Sequence, residues 1–158
     1  MQVDLTDFLD PQNVVLDLKG KNKKAIITAL VTNLVASGKI NPDYKKDIIK
    51  ALMHREDMGS TAIGGSIALP HARLDLIKNF VVCVGISREG FDFDSLDEEP
   101  VSIIVLLLSN QKEAGLHLKM LALWARMLRD RYFVQQIKTE HSEPEIVALL
   151  KKQVAVVR

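Results

Sequence analysis

The chain has 158 residues, 47% hydrophobic and 26% charged, which fits a single domain over residues 1–158 and excludes disordered, collagen-like and coiled-coil classes. Lys and Arg total 21 against 20 for Asp and Glu, a net charge of +1, so no positive field favours nucleic-acid binding. Cys83 has no second cysteine to pair with, residues 1–4 lack the features of a signal peptide, and no apolar run approaches the roughly 20 residues of a membrane span. The expectation is a cytoplasmic protein without direct membrane insertion.

In chain order, residues 14–18 (Val-Val-Leu-Asp-Leu) read as a strand, and Lys19 to Asn22 as a turn. From Lys23 to Ser37, Ile26, Leu30 and Leu34 with Ile27, Val31 and Val35 recur every four positions, a helical stripe that Gly38 can terminate. Asn41 before Pro42 opens a second helix running to about Met53 or His54, which leaves Arg55 just beyond its end. Residues 56–70 carry Gly59, Gly64 and Gly65 and read as a loop with short strand pieces. Residues 80–86 and 101–108 are near-continuous apolar runs suited to strands covered on both faces. Between them, Asp92, Asp94, Asp97, Glu98 and Glu99 mark a solvated acidic loop with no assigned chemistry.

Residues 114–129 form a helix that is apolar over most of its circumference, with Lys112, Lys119 and Arg126 as its one wet stripe, so it reads as largely buried. Pro144 starts a short last helix with Lys151 and Lys152 near its C-terminal end. Strands interleaved with helices predict an α/β fold, a three-layer α/β/α sandwich on a mixed central sheet of about five strands.

Several motifs in the glycine-rich segment fall short. Gly59 to Ser66 has the glycine spacing of a phosphate-binding loop, but Gly65 stands where the lysine belongs. Ser66 lacks the final glycine of a nucleophile elbow. His54, His71, His117 and His141 have no metal-site spacing, so no metal is assigned. What remains is His71, set after Pro70 at a strand end, where side chains commonly face a crevice. His117 lies two residues before Lys119, roughly 200° from the wet stripe and therefore inward. Taken singly, each histidine is more simply a satisfied structural residue and Arg55 a solvated one.

The combination is more specific. The run from Arg55 to His71 (REDMGSTAIGGSIALPH) resembles the phosphorylation-site signature of type-2 enzyme IIA domains of the bacterial phosphotransferase system, the fructose/mannitol class. Gly115-Leu116-His117-Leu118-Lys119-Met120-Leu121 resembles that family's second active-site histidine, and residues 5–11 with 23–25 are most similar to its nitrogen-regulatory branch.

The resemblance implies that His71 accepts a phosphoryl group from a phosphohistidine of a small HPr/NPr-like carrier, on Nε2, with His117 and Arg55 assisting and no cofactor. Phosphoryl transfer rests on positioning and charge stabilisation, so backbone amides with Ser60 and Thr61 are expected to add neutral donors to phosphate oxygens. A hydrogen bond from the other ring nitrogen to a backbone carbonyl would aim the nucleophile, and the docking surface around it should be shallow and apolar. The resemblance further implies regulatory output toward potassium-transport or sensor proteins. The alternatives are a sugar-specific component passing the group to a IIB domain, disfavoured by the absence of a fused IIB or membrane region, and a binding module that has lost phosphorylation.

Overall fold

A computed structural model describes residues 4–157. Met1 to Val3, which contribute to the signal-peptide reading, lie outside that range. The chain forms strands β1 (Val14–Val15), β2 (Ala62–Gly64), β3 (Ile67–Ala68), β4 (His71–Arg73), β5 (Val81–Phe91) and β6 (Val101–Ser109). Its helices are α1 (Lys23–Ala36), α2 (Lys45–Asp57), α3 (Ala114–Met127), α4 (Arg131–Thr139) and α5 (Glu143–Val157). The six strands make one mixed sheet in the order β1-β5-β6-β3-β2, with β4 also pairing to β6. Because β3 meets β6 at Ile103 and Ile104 and β4 meets it at Leu107 to Ser109, the two are pieces of one parallel row. Pro70 interrupts that row: it has no N–H, but its carbonyl accepts from Leu107 N at 2.9 Å.

The sheet is covered on both faces, as the continuous apolar runs require. Every residue of β6 is buried. One core packs Ile26, Ile27, Leu30 and Leu34 of α1 and Ile48 and Leu52 of α2 against Cys83, Ile104, Leu106 and Leu108. The other packs Met120 and Trp124 of α3, Phe133 of α4 and Ile146 and Leu150 of α5 against Val82, Val84, Ile103, Val105 and Leu107. This alternation along β5 and β6 is the two-residue period of a strand buried on both sides.

Helix α1 begins where Asn22 Oδ1 accepts from Ala25 N at 2.8 Å. It ends with Gly38 at φ +79°, Gly38 N bonding to Val35 O and Lys39 N to Leu34 O, the paired closure that a left-handed glycine permits.

Six elements differ from expectation. The first strand stops at Val15 because Asp17 turns the chain at φ +54°, although Leu18 N still bonds to Ile86 O at 2.9 Å. Helix α2 follows a 3-10 turn at Pro42–Tyr44 and runs on to Asp57, so Arg55 lies in its last turn rather than after it. Strand β5 continues into the acidic segment as far as Phe91, around an irregularity where Gly90 has φ +80°.

Helix α3 is less buried than its composition suggests: only His117, Met120, Trp124 and Met127 are inside, one stripe at helical spacing. Finally, α4 is an additional helix, capped by Asp130 Oδ1 accepting from Tyr132 N and Phe133 N, and α5 spans 15 residues rather than a short segment. Burial of Ile146, Val147, Leu150 and Val154 carries α5 through four turns.

Candidate functional site

At the end of the sheet where β4 and β6 terminate, a shallow cavity of about 660 Å³ opens between the last turn of α2 and the first turns of α3. Ala51, His54, Arg55 and Met58 line one side, Ala114, His117, Leu118 and Leu121 the other, and His71 and Arg73 the floor. The crevice beyond the carboxyl ends of parallel strands is the usual ligand position in open α/β sheets.

His71 is half-buried, and its Nδ1 stands 2.7 Å from the Leu69 carbonyl oxygen. A carbonyl can only accept, so Nδ1 carries the hydrogen and Nε2 keeps the free lone pair. Burial holds this imidazole below its ordinary pKa; the Leu69 hydrogen bond opposes the shift, the Arg55 charge adds to it, and Glu56 opposes it again. The ring is therefore neutral near pH 7, with the lone pair of Nε2 free.

His117 is almost fully buried on α3 and its ring centroid lies 5.3 Å from that of His71, with the planes inclined by 55°. Its Nδ1 is 2.5 Å from Ser109 Oγ. Burial pushes its pKa down to about 4, with His71 and Arg73 adding to the effect, so this ring too is neutral.

Arg55 lines the same cavity while its Nη1 donates to the Gly59 carbonyl at 2.8 Å, which folds the loop after α2 back on the helix. The structure thus brings His71, His117 and Arg55 together.

Ser60 and Thr61 are placed differently from expectation. The Ser60 hydroxyl donates to the Phe93 carbonyl at 2.6 Å and accepts from Ala62 N. Thr61 is buried, its hydroxyl donating to Glu56 Oε2 at 2.5 Å and its N–H directed at the same carboxylate. Both hydroxyls are committed, Ser60 to the acidic segment and Thr61 to the end of α2, and neither residue lines the cavity.

Glu56, whose side chain is 1% exposed, also pairs with Lys23 at 3.0 Å, and Lys23 reaches Asp94 at 2.9 Å. A buried carboxylate with a cation and three hydrogen bonds is well satisfied, and here it ties α1, α2, the loop and the acidic segment into one brace. Asp97 adds a second tie, its Oδ2 accepting from Gly65 N at 2.9 Å. The acidic segment, read as merely solvated, thus supports the loop that leads to His71.

Sequence reasoning passed over three features. Arg73 shares the His71 face of β4 by the two-residue strand period and lines the cavity, its Nη1 donating to the Gln111 carbonyl at 3.2 Å. That signal was present once residues 71–73 were known to be a strand. Ser109 had no signal, because its meeting with His117 depends on how α3 turns back over the end of β6. Exposed Met58 and Leu118, at 73% and 67%, flank the cavity and give it an apolar rim. Among the described residues no cluster of His, Cys, Asp and Glu could hold a metal ion, and no helix is long and apolar enough to cross a membrane.

Comparison with known proteins places this geometry. Residues 7–153 match the sequence profile of the family described as phosphoenolpyruvate-dependent sugar phosphotransferase system, EIIA 2. A nitrogen regulatory protein of Pseudomonas aeruginosa is 33% identical over 125 residues, covering 78% of this chain and 79% of that protein. The fructose-specific EIIABC component of Bacillus subtilis is 28% identical over 148 residues, which is 94% of this chain but only 23% of that longer protein. Among solved structures, nitrogen regulatory protein IIA-Ntr from Neisseria meningitidis superposes with a TM-score of 0.84 at 28% identity, covering 92% of this chain and 98% of that one.

Proposed function

The chain belongs to the EIIA type-2 family of the phosphoenolpyruvate-dependent sugar phosphotransferase system, and from that premise we propose that it is a phosphohistidine relay whose acceptor is Nε2 of His71. The observation that carries this reading is the 2.7 Å contact between His71 Nδ1 and the Leu69 carbonyl, which leaves Nε2 as a neutral nucleophile at the cavity.

The donor is a phosphohistidine of a small HPr/NPr-like carrier protein in the cytoplasm. Nε2 of His71 attacks phosphorus in line, the N–P bond of the carrier breaks, and its electron pair stays on the carrier's nitrogen. A protonated phospho-ring on the carrier leaves as a neutral imidazole, and His71 becomes the protonated phospho-ring, its Nδ1–H still held by Leu69. No proton changes molecule in that exchange. Arg55 and Arg73 supply positive charge beside the equatorial oxygens, and His117 donates a ring N–H to them. Ser60 and Thr61 act indirectly in this reading, by holding the loop. The apolar rim at Met58 and Leu118 suits a partner that docks briefly, over less than about 1,200 Å².

Likeness to two nitrogen regulatory proteins supports a regulatory output, in which unphosphorylated protein binds potassium-transport or sensor proteins and the added dianion disrupts that surface. The fructose-specific relative supports the alternative of passing the group to a IIB domain.

Incubating the protein with phosphoenolpyruvate, enzyme I and carrier, then weighing it intact, tests the relay. One acid-labile phosphoryl group is expected, and none in His71→Ala. No adduct on the unmodified chain would leave a binding module of the same fold, and a labelled His71→Ala would remove His71 as acceptor. Loss of that adduct on adding purified IIB domains would favour the sugar-transport alternative.

A further inference from the structure

The two imidazoles of the cavity are the same side chain 5.3 Å apart, yet the proposed relay needs one to attack phosphorus and the other to donate to its oxygens. The difference lies in what each Nδ1 faces. For His71 it is a carbonyl, which admits one tautomer. For His117 it is the Ser109 hydroxyl, which can donate or accept, so the tautomer must be settled by counting partners.

Ser109 is 0% exposed, and among the described residues its hydroxyl has one hydrogen-bond partner, His117. If His117 Nδ1 carried the hydrogen, it would donate to Oγ, and the Ser109 O–H would be left buried with nothing to accept it. A buried hydroxyl without an acceptor costs about 1–3 kcal/mol. If instead the hydroxyl donates to Nδ1, both groups are satisfied, and the hydrogen of the neutral ring is on Nε2. The reverse arrangement would also turn a lone pair, rather than an N–H, toward incoming phosphoryl oxygens.

We propose that Ser109 is a positioning residue: by donating to Nδ1 of His117 it fixes that ring as the Nε2–H tautomer, making it the donor partner of His71 and unable to act as a second acceptor through that nitrogen. The assignment of a donor role rests on the relay proposed above; the tautomer itself does not. The backbone holds the hydroxyl in place, because Ser109 pairs with Arg73 across β4 and β6 and its carbonyl accepts from Leu74 N at 3.0 Å. The ring is set from the other side by His117 N bonding to Glu113 O at 2.9 Å in the first turn of α3. Burial and the two neighbouring cationic or imidazole groups keep His117 uncharged, so that one proton and one lone pair remain to be apportioned.

The test is a ¹H–¹⁵N correlation spectrum of the ring nitrogens of the full chain, unphosphorylated, near pH 7. It should show His117 protonated on Nε2 and His71 on Nδ1. Ser109→Ala should turn His117 into a tautomer mixture and slow single-turnover transfer from phosphorylated carrier about tenfold, and Ser109→Thr, which keeps the hydroxyl, should restore both. A wild-type His117 protonated on Nδ1 overturns the proposal, as does a Ser109→Ala protein that keeps both the Nε2–H signal and the wild-type rate. Should Ser109→Ala not fold, the wild-type spectrum and the Ser109→Thr rate decide alone. A chain that takes no phosphoryl group at all defeats the relay while the spectrum still decides the tautomer.

Discussion

The two walls of the cavity are built on different principles. On the His71 side, the end of α2 and the following loop are held by charge: Glu56 with Lys23, Thr61 and, through Lys23, Asp94, with Asp97 gripping Gly65. On the His117 side, α3 is held by the apolar packing of Met120, Trp124 and Met127, with Ser109 as the polar contact of the ring. The lesson concerns what each ring must do. His71, the proposed nucleophile, sits half-exposed beside an irregular glycine-rich segment, which needs a satisfied polar brace to have one conformation. His117, the proposed donor, sits on a regular helix, where packing fixes the backbone and a single hydroxyl remains to set the ring.

Removing the brace should do most harm to the fold. Glu56→Ala leaves Lys23 and the Thr61 donors facing a cavity, and should cost about 3 kcal/mol in urea unfolding, with phosphotransfer falling in step with the loop's order. An unfolding free energy within about 0.5 kcal/mol of wild type would mean that the charged wall is ornamental. His117→Ala should spare the fold far more than it spares the chemistry, slowing single-turnover phosphorylation of His71 about a hundredfold, the scale of losing one oxyanion donor. A rate unchanged within a factor of two would assign His117 to structure alone.

Leu118→Asp, on the exposed rim of the packed wall, should weaken carrier docking about tenfold, seen as a raised half-saturating carrier concentration with an unchanged maximal rate. Equal kinetics would place the docking surface elsewhere.

The smallest effect separates the rings by pH. Both have folded pKa values depressed below that of the unfolded chain, His117 to about 4, so their contribution to stability is present above about pH 6.5 and is lost as pH falls and the unfolded state takes up protons first. The urea midpoint should therefore drop between about pH 7.5 and pH 5, and the drop should shrink in His117→Ala. An equal drop in the variant would contradict the burial assigned to that ring.

Much of this was legible in the sequence, and the reasons for the rest are specific. Helix α1 and strands β5 and β6 announce themselves because burial on one stripe or on both faces leaves an unmistakable apolar pattern. His71 and His117 taken singly read as structural residues, and both the singling out of His71 and its relation to His117 came from the family likeness of the 55–71 and 115–121 segments rather than from periodicity.

Ser60 and Thr61 were expected to donate to phosphate oxygens because hydroxyls near a glycine loop look available; in the structure they bond to Phe93 and Glu56, partners that the sequence does not reveal. Helix α3 looked buried because apolar composition does not distinguish a core stripe from an exposed apolar rim, and Leu118 belongs to the latter. Asp94 and Asp97 are exposed, as expected, but their ties to Lys23 and Gly65 were not legible because they span long stretches of chain.

The central claim is the identity of the reacting atom, and the most direct measurement is the ³¹P and ¹⁵N spectrum of the phosphorylated chain with peptide mapping of the site. The account predicts one phosphoryl group, bonded to Nε2 of His71 with Nδ1 still protonated. A phosphoryl group on Nδ1 of His71, or on any other side chain, would contradict it.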